Sequence, residues 1–132
     1  MTRMQIDIAL IEARRLWLAG WYLLQNTEAC MRDCNGVGAE WMPKFIRKFL
    51  DFILKIFAPA VAIHDRRYSI NEGDRNKWDD EFEANCRTIA RDEYSWYNPL
   101  RYLAYWVARR LHIALTIAGE IAWIQAGKEK AQ

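Results

Sequence analysis

Apolar and polar residues recur with a helical period along nearly the whole chain, and no stretch alternates the way a half-buried strand does. The pattern predicts a first helix from Met4 to about Asp33, weakened near Gly20. It ends where Asn35-Gly36-Val37-Gly38 cannot readily continue a helix. Pro43 is suited to open a second helix, running to Phe57. In it Lys44, Lys48, Asp51 and Lys55 make one polar stripe with Arg47 beside it, while Phe45, Ile46, Phe49, Leu50, Phe52, Ile53, Leu54 and Ile56 fill the rest. Such a wide apolar face with a cationic stripe packs inward or lies on an anionic lipid surface, and periodicity alone serves both readings. Pro59 breaks this helix and restarts a third that reaches Ile70. Asn71-Glu72-Gly73-Asp74 is a turn, with Asp74 as N-cap of a fourth helix to about Tyr94. Asn98-Pro99 starts the last helix, to about Ala126, stopped near Gly127. The expected fold is all-α: a small helical domain over residues 1–132, with a central antiparallel helix pair flanked by N- and C-terminal helices.

Composition narrows this picture. Hydrophobic residues are 52% of the chain, which excludes a disordered polar segment. The 19 Lys and Arg nearly balance 17 Asp and Glu, and a net charge of +2 argues against a nucleic-acid partner. Seven Trp suit either a core or a membrane interface. The longest uncharged runs, Leu16 to Thr27 and Leu111 to Gly119, fall short of the ~20 residues that a transmembrane helix needs. Asp7, Glu12, Arg14 and Arg15 precede the first sustained apolar run, which is not the layout of a secretory signal. The expectation is a soluble or peripheral protein of unassigned location. Cys30 and Cys34 are one helical turn apart and Cys86 is remote, so reduced thiols are expected.

Candidate chemistry concentrates on either side of the turn at residues 71–74. Residues three, four and seven apart share a helix face, which aligns His64 with Phe57, Val61 and Tyr68 on an inner face. On the fourth helix Asp79 aligns with Phe82, Cys86 and Ile89, whereas Asp80 shares a solvent side with Glu83, Ala84 and Arg87. Antiparallel packing across the turn brings His64 and Asp79 to the same height. A carboxylate on one imidazole nitrogen leaves the other to take a proton from water, as a general base does. Asp65 projects about 100° away from His64 around the helix and offers its carboxylate to a cation. Hard cations such as calcium take oxygen ligands, and the glycine loop at Gly36 and Gly38 is a source of backbone carbonyls.

With these residues the chain resembles the phospholipase A2 superfamily, which combines a glycine calcium loop, a His-Asp-x-x-Tyr helix and a later Asp on the antiparallel neighbour. Here they read Cys34-Asn35-Gly36-Val37-Gly38, His64-Asp65-Arg66-Arg67-Tyr68, and Asp79. The similarity is closer to disulfide-poor viral and bacterial members than to cystine-rich secreted ones. The resemblance implies calcium-dependent hydrolysis of a glycerophospholipid acyl ester at a phospholipid membrane surface. It implies that His64 activates water, Asp79 orients His64, and the Tyr68 hydroxyl supports Asp79. It further implies calcium on Asp65 and the carbonyls of Cys34, Gly36 and Gly38, with the Gly36 amide stabilising the oxyanion. The chain departs from the pattern in having no cysteines beside His64, an inserted helix between Gly38 and His64, and Ala39 where a further glycine is common.

Other readings start from the same residues. His112 reads as a satisfied core histidine, Asp65 as a surface partner of an arginine, and Gly36 and Gly38 as a helix stop. Cys30, Cys34, His64 and Cys86 are zinc-type ligands, although their spacing lacks paired knuckles. A metal-dependent phosphohydrolase built on the His-Asp pair needs further histidines, and His112 is the only other one. The alternative from another class is a non-catalytic helical protein of the same fold that binds membranes or a protein partner.

Overall fold

The structure, a computed structural model, describes residues 1–34, 48, 51–52 and 55–132. It is all-α, and no strand occurs among the described residues. Helix α1 covers Arg3–Arg15, a 3-10 turn Trp21–Gln25, α2 Thr27–Asp33, α3 Ala58–Ile70, α4 Arg75–Glu93 and α5 Pro99–Ala131. The glycine loop at Gly36 and Gly38 and most of the helix expected from Pro43 to Phe57 lie outside the described residues.

The long first helix expected from Met4 to Asp33 is instead three pieces. Thr2 and Gln5 cap α1 reciprocally: the Thr2 side chain accepts from the Gln5 N–H, and the Gln5 side chain accepts from the Thr2 N–H. The helix then breaks because Trp17 (φ 52°) and Gly20 (φ 83°) both take left-handed backbone, which no α-helix accommodates. A Cβ on Gly20 would lie 2.8 Å from Ile63 Cγ2, so this glycine also lets the chain pass close over α3. Buried Asn85 of α4 fastens the break by accepting from the Ala19 N–H (3.0 Å) and donating to the Ala19 carbonyl (2.9 Å). Asn26 then caps α2.

The hairpin of α3 and α4 follows the expected bounds. Asn71 closes α3 in left-handed conformation (φ 57°), and the Asp74 side chain caps α4 by accepting from the Asn76 N–H. Arg67 and Glu81 brace the pair with two 3.1 Å hydrogen bonds. Helix α3 is central, touched by α1, α2, α4 and α5, and its Ala60, Val61, Ala62 and Ile63 are all buried. Around it Ile6, Leu18, Leu24, Phe57, Phe82 and Ile89 join one apolar core. Burying each such side chain contributes about 1.5–3 kcal/mol. Cys30, Cys34 and Cys86 are free thiols inside that core.

Helix α5 runs past Gly127 to Ala131 rather than stopping there. The glycine serves packing instead: a Cβ at Gly127 would stand 3.0 Å from Asn71 Oδ1, and Asn71 donates to the Trp123 carbonyl nearby. No helix among the described residues is long and apolar enough to cross a membrane.

Candidate active site around His64 and Asp79

The helical phases bring His64 of α3 and Asp79 of α4 together in the interior, exposed by 7% and 1%. His64 Nε2 lies 2.8 Å from Asp79 Oδ1, and the Tyr68 hydroxyl donates to the same oxygen at 2.7 Å. Arg75, one turn before Asp79, approaches Oδ2 at 3.4 Å and also donates to the Leu115 carbonyl of α5. The imidazole is held between the rings of Tyr68 and Phe82, at centroid distances of 4.3 and 5.2 Å. Trp123 of α5 meets the Tyr68 ring edge-on, with centroids 5.3 Å apart.

The charges follow from these contacts. Burial pushes the Asp79 carboxyl up, but hydrogen bonds from His64 and Tyr68 and the nearby cationic charge more than offset it, holding Asp79 below its ordinary value. An ionised Asp79 only accepts hydrogen bonds, so Nε2 carries the proton, and a neutral His64 ring keeps its basic lone pair on Nδ1. Burial, then the hydrogen bond to Asp79, raises the Tyr68 phenol, which stays protonated as a donor. Because Asp79 is depressed in the folded chain, its stabilising contribution is complete above the unfolded value of about 3.9 and disappears as pH falls through the folded value. Urea unfolding of the wild type and of Asp79→Asn should therefore give a stability difference that shrinks from neutral pH towards pH ~3. A difference independent of pH would contradict an ionised, stabilised Asp79.

Asp65 lines a cleft of about 560 Å³ with Asp33, Tyr68 and Ser69 from α2 and α3, and Ala122, Ala126 and Lys130 from α5. Asp33 is itself held by Arg32 (2.9 Å) and by buried Arg66. Cys34, expected as a carbonyl ligand, is buried; its carbonyl accepts from the Met1 ammonium at 2.9 Å and its thiol from 3.6 Å addresses the Ala62 carbonyl. The Cys34 oxygen thus already faces a positive charge, which would oppose a second cation on the same oxygen. Gly36 and Gly38, expected for the oxyanion and calcium, lie outside the described residues.

The zinc reading is not assembled. Among the described residues no group of three or more His, Cys, Asp or Glu side chains is arranged to hold a metal, and this includes Cys30, Cys34, His64 and Cys86. Desolvation raises all three thiols, Cys34 to about 12, so none offers a thiolate readily. His112 is satisfied as expected, but by Asp80, 2.8 Å away at the surface. Reading the chain by phase missed Arg75, whose i,i+4 spacing to Asp79 was visible, and the α5 contributions of Leu115, Gly119 and Trp123, which depend on tertiary packing.

No family model, no curated protein and no solved structure matches the chain.

Proposed function

We propose that the chain is a calcium-dependent phospholipase A2-like hydrolase that cleaves an acyl ester of a glycerophospholipid. The observation that carries this reading is the buried His64–Asp79–Tyr68 arrangement, in which Nε2 is committed to Asp79 and Nδ1 is left as the base. His64 Nδ1 takes a proton from water as the oxygen bonds to the ester carbonyl carbon. The protonated ring is stabilised by Asp79, held by Tyr68 and Arg75. Collapse of the tetrahedral intermediate breaks the carbon–oxygen bond, and the ring returns its proton to the departing alkoxide, so that free fatty acid and lysophospholipid result. The expected donor set, the Asp65 carboxylate with the main-chain carbonyls of Cys34, Gly36 and Gly38, consists of hard oxygens that suit calcium rather than zinc. Calcium, when bound there, polarises the ester carbonyl and offsets the oxyanion charge.

Fatty-acid release from phospholipid vesicles, followed with added calcium and with a calcium chelator, tests the proposal. Release should require calcium, and Asp65→Asn should shift the calcium dependence to higher concentration. Release that ignores the chelator would remove calcium from the reading, and no release at any calcium concentration would favour the non-catalytic alternative. That second reading, a membrane- or partner-binding helical protein, draws its own support from the exposed isoleucines of α5.

A further inference from the structure

Helix α5 is apolar on two opposite sides. At about 100° per residue, Ala104, Val107, Ala108, Leu111, Leu115 and Gly119 face the protein. The opposite side carries Trp106, Ile113, Ile117, Ile121 and Ile124, all exposed; Ile117 and Ile121 are 76% and 77% open to solvent. A helix that is apolar all round needs a cover on both sides, and the described residues supply only one.

The charges on the outward stripe identify the cover. Its ionic members are Arg110, stacked on Trp106 with its guanidinium carbon 5.0 Å from the ring centroid, and Lys128 one turn beyond Ile124. Glu120 lies at the edge of the stripe, on the side where its charge acts on Arg75. At the N-terminal end Trp96, Tyr97 and Tyr102 are exposed, and the Tyr102 hydroxyl donates to the Trp96 carbonyl at 2.6 Å. Apolar branched side chains along the middle, cations within and beyond them, and Trp and Tyr at one end are the composition that seeks an anionic lipid interface. A second copy of the chain fits less well. Antiparallel self-pairing centred on Ile117 would set Arg110 against Ile124 and Lys128 against Trp106, with no carboxylate on the stripe to pair with either cation.

We infer that the outward face of α5, from Trp106 to Lys128, is the surface by which the chain docks on anionic phospholipid. The choice of lipid rests on the proposed function, while docking itself requires no turnover and is measured apart from it. The experiment is co-sedimentation of the full chain with vesicles of phosphatidylcholine and phosphatidylglycerol, in calcium chelator. Wild-type chain should sediment with these vesicles, and weakly with pure phosphatidylcholine. Ile117→Glu/Ile121→Glu should lower the partition coefficient by about tenfold or more, and Arg110→Glu/Lys128→Glu should remove the preference for phosphatidylglycerol. Both pairs of side chains point to solvent, so circular dichroism and melting should stay as in wild type. Hydrolysis of a monomeric short-chain phospholipid should also be unchanged in the isoleucine variant, which separates loss of docking from loss of chemistry. Equal partition of wild type and isoleucine variant overturns the inference, as does absence of wild-type binding. Analytical ultracentrifugation showing a dimer that the same substitutions dissociate also overturns it, and assigns the face to a second copy instead.

Discussion

Replacing His64 by Gln should lower the proposed ester hydrolysis by about 10²–10⁴-fold, the usual contribution of a general base. Gln is the informative substitution because its amide can still donate towards Asp79, so the buried carboxylate is not stranded, while no basic lone pair remains where Nδ1 was. His64→Ala is more drastic, since it also removes the ring between Tyr68 and Phe82 and opens a cavity in the core. Fatty-acid release at saturating calcium, with near-UV circular dichroism to confirm the fold, reads the result. Asp79→Asn should reduce turnover strongly, because a neutral amide no longer stabilises the protonated ring. Asp80→Asn should be mild by comparison: Asp80 is exposed and joined to His112 in a surface pair, an interaction worth about 0–1 kcal/mol. Equal losses for Asp79→Asn and Asp80→Asn, or full turnover in His64→Gln, would remove His64 from the role of base.

The contrast between neighbours Asp79 and Asp80 shows why this part of the molecule was legible in the sequence. The turn at residues 71–74 is short, so α3 and α4 must pack antiparallel, and phase along each helix then determines which side chains meet. His64, Tyr68 and Asp79 share their phases with Val61, Phe82 and Cys86, and all are buried. Asn85 lies next to that phase and was readable as a polar residue on an inner face, but its partner was not. The Ala19 peptide reaches it only because Trp17 and Gly20 turn left-handed. A glycine signals such a turn, whereas a tryptophan with positive φ leaves no trace in a hydropathy pattern. Gly127 misled for a related reason. Glycine marks a helix end when the chain must turn and close packing when it must not, and only the neighbour, here Asn71, separates the two. Arg75 and the α5 contacts complete the site from a helix distant in sequence, which periodicity within one helix cannot report.

Gly119→Val should destabilise the fold by about 1–3 kcal/mol, the range for forcing volume into a packed core, and this outcome runs against helix propensity. In an exposed helix interior, replacing Gly by Ala gains about 1 kcal/mol. At Gly119, however, a Cβ would stand 2.6 Å from the Tyr68 hydroxyl oxygen and 3.1 Å from an Arg75 guanidinium nitrogen. Neither neighbour retreats freely. The hydroxyl is tied to Asp79, and Arg75 is held between Asp79 and the Leu115 carbonyl. The added carbon must displace α5 or pull Tyr68 away from the carboxylate, so even Gly119→Ala should lower the melting temperature. Tyr68→Phe removes the atom most in the way, which makes the pair a double-mutant cycle. Gly119→Ala should be less harmful on the Tyr68→Phe background than on wild type, with a coupling of about 0.5–3 kcal/mol. Strict additivity, or a Gly119→Ala chain more stable than wild type, would mean that α5 does not press on the pair. The expected coupling would show that the last helix, for which the sequence motif provides no role, sets the position of the hydroxyl on which Asp79 and His64 depend.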